Sequence, residues 1–150
     1  MISPDAVRRV RSSSKKIAPI AVTSPETFAG DFYHRLFAIA PEVRDLFPAD
    51  MSEQKMKLMS ILGFAVNSLS DLDVLIPELR ALGVRHVGYG VEEAHYAAVT
   101  MAMLQTLEHA LGDAWTPEIC QAWTELYAEV SNVMIGAASE YLEAKAARVA

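Results

Sequence analysis

From Ile119 to Leu142 the apolar side chains fall at steps of three and four: Ile119, Trp123, Leu126, Val130, Val133, Met134, Ala137, Tyr141 and Leu142. That period belongs to one face of an α-helix. Sustained over more than 20 residues, it requires a long helix laid along a core. Thr116-Pro117-Glu118 supplies the start, with a capping hydroxyl, a proline in the first turn and a carboxylate at the positive end. Gly136 inside this helix costs about 1 kcal/mol relative to alanine, which predicts the close approach of another helix there.

The rest of the chain reads the same way. No stretch alternates apolar and polar residues for a strand's length, and glycine and proline gather at joints. Ser3 and Pro4 open a first helix that fades near Pro19. Ser24-Pro25-Glu26 opens a second through Phe28, Phe32, Leu36 and Ile39, and Pro41 to Phe47 forms a brief helical turn stopped by Pro48. Between Ser52 and Leu69 there are two adjacent apolar stripes. Gln54, Leu58, Ile61 and Ala65 form one, and Met59, Leu62 and Val66 the other, so this helix should face two partners. Asp71-Leu-Asp73 breaks it, and Pro77 fits the first position of a short helix ending at His86. Glu92 and Glu93 start the next helix, which runs through Tyr96, Met103, Leu104 and Leu107 to Gly112.

The expectation is an all-α chain forming one domain over residues 1–150, since 150 residues suffice for one sizeable core. At 52% hydrophobic, the chain carries an apolar surplus that a bound apolar ligand would absorb. A net charge of −6 argues against a nucleic-acid groove, and the basic residues Arg8, Arg9, Arg11, Lys15 and Lys16 are confined to the first helix. Cys120 is the single cysteine, so no internal disulfide forms. No apolar run approaches the roughly 18 residues of a membrane span, and the run after Lys16 is too short for a cleaved signal. A cytoplasmic location is expected.

His86 is the residue these helices single out. It lies over Leu82 and Leu79 at helical spacing, so an imidazole sits on an apolar stripe, followed by what reads as a flexible stretch, Val87-Gly-Tyr-Gly90. Taken alone, such a histidine is more often a satisfied core residue than a ligand. Three further segments precede it in order. Phe32-Tyr33-His-Arg-Leu36-Phe37, Pro41-Glu-Val-Arg-Asp-Leu-Phe47 and Gln54-Lys-Met-Lys57-Leu58-Met59 join Arg85-His86-Val-Gly-Tyr-Gly-Val91-Glu-Glu-Ala-His95-Tyr96. Together they resemble bacterial single-domain globins and the haem domain of flavohaemoglobins. The likeness covers nearly the whole chain and is weakest over the first 20 residues.

The resemblance implies a globin fold of six to eight helices around haem b. His86 matches the proximal iron ligand; its second nitrogen should donate to a backbone carbonyl, and Leu82, four residues back, is the natural acceptor. Phe47 matches the aromatic that wedges against the porphyrin. Tyr33 matches the distal tyrosine, whose phenol can donate to bound dioxygen. A hydrogen bond to so charged an acceptor is worth roughly 1.5–3 kcal/mol, or about 10- to 100-fold in affinity. Gln54 matches the distal polar residue, with Leu58 roofing the pocket. Glu53 is the adjacent alternative, and Gln54 is preferred because it puts Leu58 rather than Lys57 over the ligand. Lys57 and Arg85 are then candidates to meet haem propionates, and Val91 and Tyr96 to line the proximal side. His34, His95 and His109 look incidental, and His86 with His95 lacks the spacing of a zinc site.

One position departs from the family. Where flavohaemoglobins carry a glutamate supporting the proximal histidine, this chain has Ala138, and Glu140 lies about 200° around the helix. His86 should therefore be a more neutral ligand with less push toward O–O cleavage. The given chain also shows no flavin or nicotinamide domain. Both features favour reversible oxygen binding, for transport or storage, over catalysis. The alternatives are nitric oxide dioxygenation with a separate reductase and a haem-based gas or redox sensor. A haem-free, globin-shaped interaction module is a further reading, set aside because the whole ligand set is present. Dioxygen, carbon monoxide and nitric oxide are the gas ligands implied.

Overall fold

The computed structural model describes residues 2–23 and 25–149, and the side chains outside 20–25. Among the described residues six α-helices run in order: α1 (Pro4–Thr23), α2 (Pro25–Ile39), α3 (Ser52–Asn67), α4 (Leu72–Gly88), α5 (Glu93–Leu111) and α6 (Pro117–Val149). Short 3-10 helices at Pro41–Leu46 and Gly112–Ala114 join α2 to α3 and α5 to α6. The main packing pairs are α4 with α6, α2 with α5, α1 with α6, and α2 with α3. Trp123, Leu36, Met103, Leu107 and Val10 are buried at the centre. Its few polar atoms are satisfied: Trp123 Nε1 donates to Ser13 Oγ at 2.9 Å, and Thr106 Oγ1 donates to the Ala102 carbonyl at 2.8 Å. Among the described residues no helix is long and apolar enough to cross a membrane.

The start signals work as the residue types dictate. Ser3 Oγ accepts the Ala6 amide at 3.2 Å, capping α1, and Thr116 Oγ1 accepts the Ile119 amide at 3.2 Å, capping α6. The start signal at Ser24 lies outside the described residues.

Several expectations are corrected. α1 does not fade at Pro19 but runs to Thr23. The proline forfeits an amide bond to the Lys15 carbonyl, while burial of Ile17 keeps that turn on the core. The helix bearing His86 is not short either. It has 17 residues, begins at Leu72, and holds Pro77 in its interior. The Asp71 carbonyl accepts the Val74 and Leu75 amides at 3.1 Å, starting the helix one turn early, and Leu75 and Leu79 bury its inner face. Tyr141 and Leu142 keep the helical step but are 39% and 49% exposed, because packing on α6 ends near Ala137 and the helix projects beyond it. On α3, Ala65 and Val66 are buried, but Leu58, Ile61 and Leu62 face a cavity rather than a second helix.

The close approach expected at Gly136 occurs instead at Gly83. A Cβ on Gly136 would meet nothing within 4 Å, whereas one on Gly83 would stand 2.4 Å from the Met134 carbonyl oxygen. The crossing of α4 and α6 is set by the glycine on α4, three residues before His86.

Candidate functional site

The end of α4 places His86. Val91 donates its amide to the His86 carbonyl at 3.0 Å and Gly90 to the Val87 carbonyl at 3.1 Å, with Gly90 at φ +85°. This is a Schellman termination, which needs a left-handed residue that glycine supplies at least cost. The stretch read as flexible is thus a defined cap. It directs Val91 to the same wall as His86.

His86 Nδ1 lies 2.8 Å from the Leu82 carbonyl oxygen. A carbonyl can only accept, so Nδ1 carries the proton and Nε2 keeps its lone pair. Burial lowers the pKa of this imidazole; the Leu82 bond partly opposes that, and the nearby Arg85 charge adds to it. The ring is held neutral, as a metal ligand must be. Tyr96 stacks beside it, with centroids 6.4 Å apart and planes at 28°.

The imidazole stands on the wall of an open, apolar cavity. Phe47, Leu58, Leu62, Leu82, Val91 and Val99 are among its apolar lining residues. The polar members of the lining are His86, His95, Tyr96, Tyr127 and Ser131; no carboxylate, lysine or arginine is among them. Burial drives the Tyr127 phenol well above its usual pKa, so it stays neutral. A slot of this kind accepts a broad apolar body bearing one electron-pair acceptor for Nε2. A flat metal macrocycle fits that description. Among the described residues no group of three His, Cys, Asp or Glu side chains could hold a bare metal ion.

Phe47 belongs to an aromatic cluster, with its ring centroid 5.4 Å from Tyr33 and 5.6 Å from Phe37. Arg44 secures that corner, donating to the carbonyls of Phe47, Pro48 and Ala49 while its guanidinium lies 5.2 Å from the Phe37 centroid. Gln54 Nε2 donates to Tyr33 Oη at 3.1 Å. The amide takes a phenol lone pair and leaves the hydroxyl proton to be donated elsewhere. Burial raises the Tyr33 pKa, with the Gln54 bond opposing, so the proton is retained at neutral pH.

The structure thus gathers His86, Phe47, Leu58, Val91 and Tyr96 around one cavity. Tyr33 and Gln54 form their pair next to Phe47 without joining the lining. Lys57 and Arg85 are not in the lining: Lys57 is exposed and paired with Glu53 at 3.4 Å, and Arg85 is exposed. Glu140 is bound by Arg80 on the outer surface, so it does not reach back to His86. His95, read as incidental, stands on the cavity wall. Its signal lay in Glu92-Glu93-Ala94-His95, where the third helical position can take the capping residue's amide. Tyr127 and Ser131 were missed because each is one residue off the apolar stripe through Trp123, Leu126 and Val130.

The family profile described as Globin matches residues 30–134. A flavohemoprotein from Bordetella parapertussis is 30% identical over 99% of this chain and 37% of its own length. One from Bacillus subtilis is 29% identical over 86% of this chain and 33% of its own length. The chain therefore spans about a third of the length of these curated relatives. Among solved structures, an engineered carbene transferase aligns with TM-score 0.83 and 23% identity, over 97% of this chain and 99% of its own. It derives from a Rhodothermus marinus protein for which nitric oxide dioxygenase activity has been suggested. A bacterial globin from Campylobacter jejuni aligns with TM-score 0.78 and 21% identity, over 94% of this chain and 99% of its own. At these identities the two structures speak to the fold.

Proposed function

This chain belongs to the globin family, and from that premise we propose that it holds haem b in the His86 cavity and binds dioxygen reversibly, as a carrier or store. The observation that carries the reading is the imidazole itself, tautomerically locked by Leu82 with Nε2 left free on the wall of a deep apolar cavity. When bound, haem would supply an iron centre able to take diatomic gases.

The chain's own residues do the rest. His86 donates its lone pair and anchors one face. Phe47 and Leu58 pack from the α2–α3 side, Val91 and Tyr96 from the α5 side, and together they exclude water. Tyr33, behind Phe47 rather than in the lining, would offer its hydroxyl proton to a partly negative guest that reached it, since the Gln54 amide occupies a phenol lone pair and leaves that proton unused. Lys57 and Arg85 would reach a carboxylate at the rim only by swinging inward, Lys57 by releasing Glu53. No carboxylate in the lining makes the His86 ring more basic, which favours holding a gas over cleaving it. A cytoplasmic setting suits a chain with the single thiol Cys120 and no disulfide.

The test is to cycle the reduced, haem-loaded chain between oxygen and argon. Absorption spectra that return over several cycles support reversible binding; oxidation to the ferric form within the first cycle contradicts it.

A second reading, nitric oxide dioxygenation with a separate reductase, is favoured by the flavohemoprotein relatives and the Rhodothermus marinus neighbour. Sustained nitrate formation with a reductase and nitric oxide would establish it, and a single stoichiometric turnover would remove it.

A further inference from the structure

His95 is a polar lining residue with no part in the reading above, and its ring, like that of His86, is oriented by a backbone hydrogen bond. It sits in the first turn of α5 with Nδ1 accepting the Glu92 backbone amide at 2.9 Å. An amide can only donate, so Nδ1 holds a lone pair and, in the neutral ring, the proton is on Nε2. The opposite edge of this half-buried lining residue is therefore an N–H donor, for which no acceptor is found among the described residues.

A donor fixed in that way on an apolar wall asks for an acceptor on the guest. Haem b carries two carboxylates, which cannot be left against apolar side chains without partners. The lining provides no lysine or arginine to receive them. The residue types that resemblance put forward, Lys57 and Arg85, lie outside the cavity. Glu92 and Glu93 beside His95 are exposed, so solvent and salt screen their charges from a carboxylate at the rim.

We propose that His95 recognises the acidic edge of the cofactor, donating from Nε2 to one haem carboxylate. Glu92 and the first turn of α5 hold the donor in place. The proposal rests on the haem reading above.

The experiment titrates the haem-free chain with iron protoporphyrin IX and with its dimethyl ester, following the Soret band, and measures the loss of each porphyrin to an excess of a competing apo-globin. The dimethyl ester has no anionic acceptor. The variant is His95→Phe, which keeps a flat ring at this position but carries no donor. His95→Leu is the second variant, and thermal melts followed by circular dichroism confirm that both fold. The wild-type chain should hold the diacid roughly tenfold or more longer than the ester, as one hydrogen bond to a charged group implies. Both variants should bring that ratio close to one by shortening retention of the diacid, with ester retention unchanged. An unaltered diacid-to-ester ratio in folded His95→Phe and His95→Leu overturns the proposal. Failure of the wild-type chain to take up either porphyrin would instead overturn the haem reading, an outcome distinct from lost discrimination.

Discussion

Replacing Gly83 by alanine adds one carbon at the place where α4 and α6 come closest. That carbon would lie 2.4 Å from the Met134 carbonyl oxygen, 2.8 Å from its Cα and 2.9 Å from its carbonyl carbon. All three are backbone atoms, so no side chain can swing away. Non-bonded carbons rest at about 3.5–4.0 Å, so the helices must separate by on the order of 1 Å or bend. Overpacking of this kind costs about 1–3 kcal/mol, against up to about 1 kcal/mol gained from alanine's helix propensity. A net loss of about 1–2 kcal/mol should lower the melting temperature by roughly 2–8 °C for a domain of this length. Gly136→Ala and Gly63→Ala are the controls, because an added Cβ meets nothing within 4 Å at either, and both should stabilise by up to about 1 kcal/mol. Urea unfolding of the three variants beside the parent measures the contrast. His86 follows Gly83 by one helical turn, so Gly83→Ala should also weaken haem retention while the controls leave it intact. A Gly83→Ala protein as stable as Gly136→Ala would refute the crossing and the placement of His86 that depends on it.

Other perturbations bear on the distal pair. Tyr33→Phe removes the hydroxyl and should speed dioxygen release from the haem-loaded chain by about 10- to 100-fold; flash-photolysis or stopped-flow rates matching the parent would dismiss Tyr33 as a donor to the gas. Alkaline stability follows from the same residue. Burial raises the folded-state pKa of Tyr33 above its ordinary 10.0, so the folded chain binds a proton that the unfolded chain has released. The stabilisation is whole below about pH 10 and is lost as pH climbs through the folded value. Urea midpoints taken from about pH 9 to about pH 11.5 should fall less steeply in Tyr33→Phe than in the parent, and identical slopes would count against the burial. Gln54→Leu should leave the gas-binding rate within severalfold of the parent in a Tyr33→Phe background but not alone, because the amide acts through the phenol it touches; additive effects would separate the two residues.

Much of this architecture is written in local patterns. Ser3, Thr116 and Pro117 mark helix starts because capping and proline's fixed φ act within one turn. The Leu82 partner of His86 follows from a spacing of four alone. What the pattern left out depends on contacts between distant segments. Gly83 and Gly136 look alike in sequence, and only the crossing of α4 and α6 decides which one touches. Pro77 satisfies a helix start and a helix interior equally, and burial of Leu75 chose the latter. Tyr141 and Leu142 continue an apolar period after the partner helices have ended. His95 looked incidental because a capping role and a cavity wall coincide only once α5 is packed on α2 and α6.

The central claim is that His86 is the single protein ligand in this cavity. The most direct measurement is the absorption spectrum of the haem-loaded chain, ferric, ferrous and under carbon monoxide, beside that of His86→Ala. The account predicts that the variant loses the native ferrous and carbon monoxide spectra, and that imidazole added to solution restores them in part. Identical spectra from the parent and His86→Ala would contradict it.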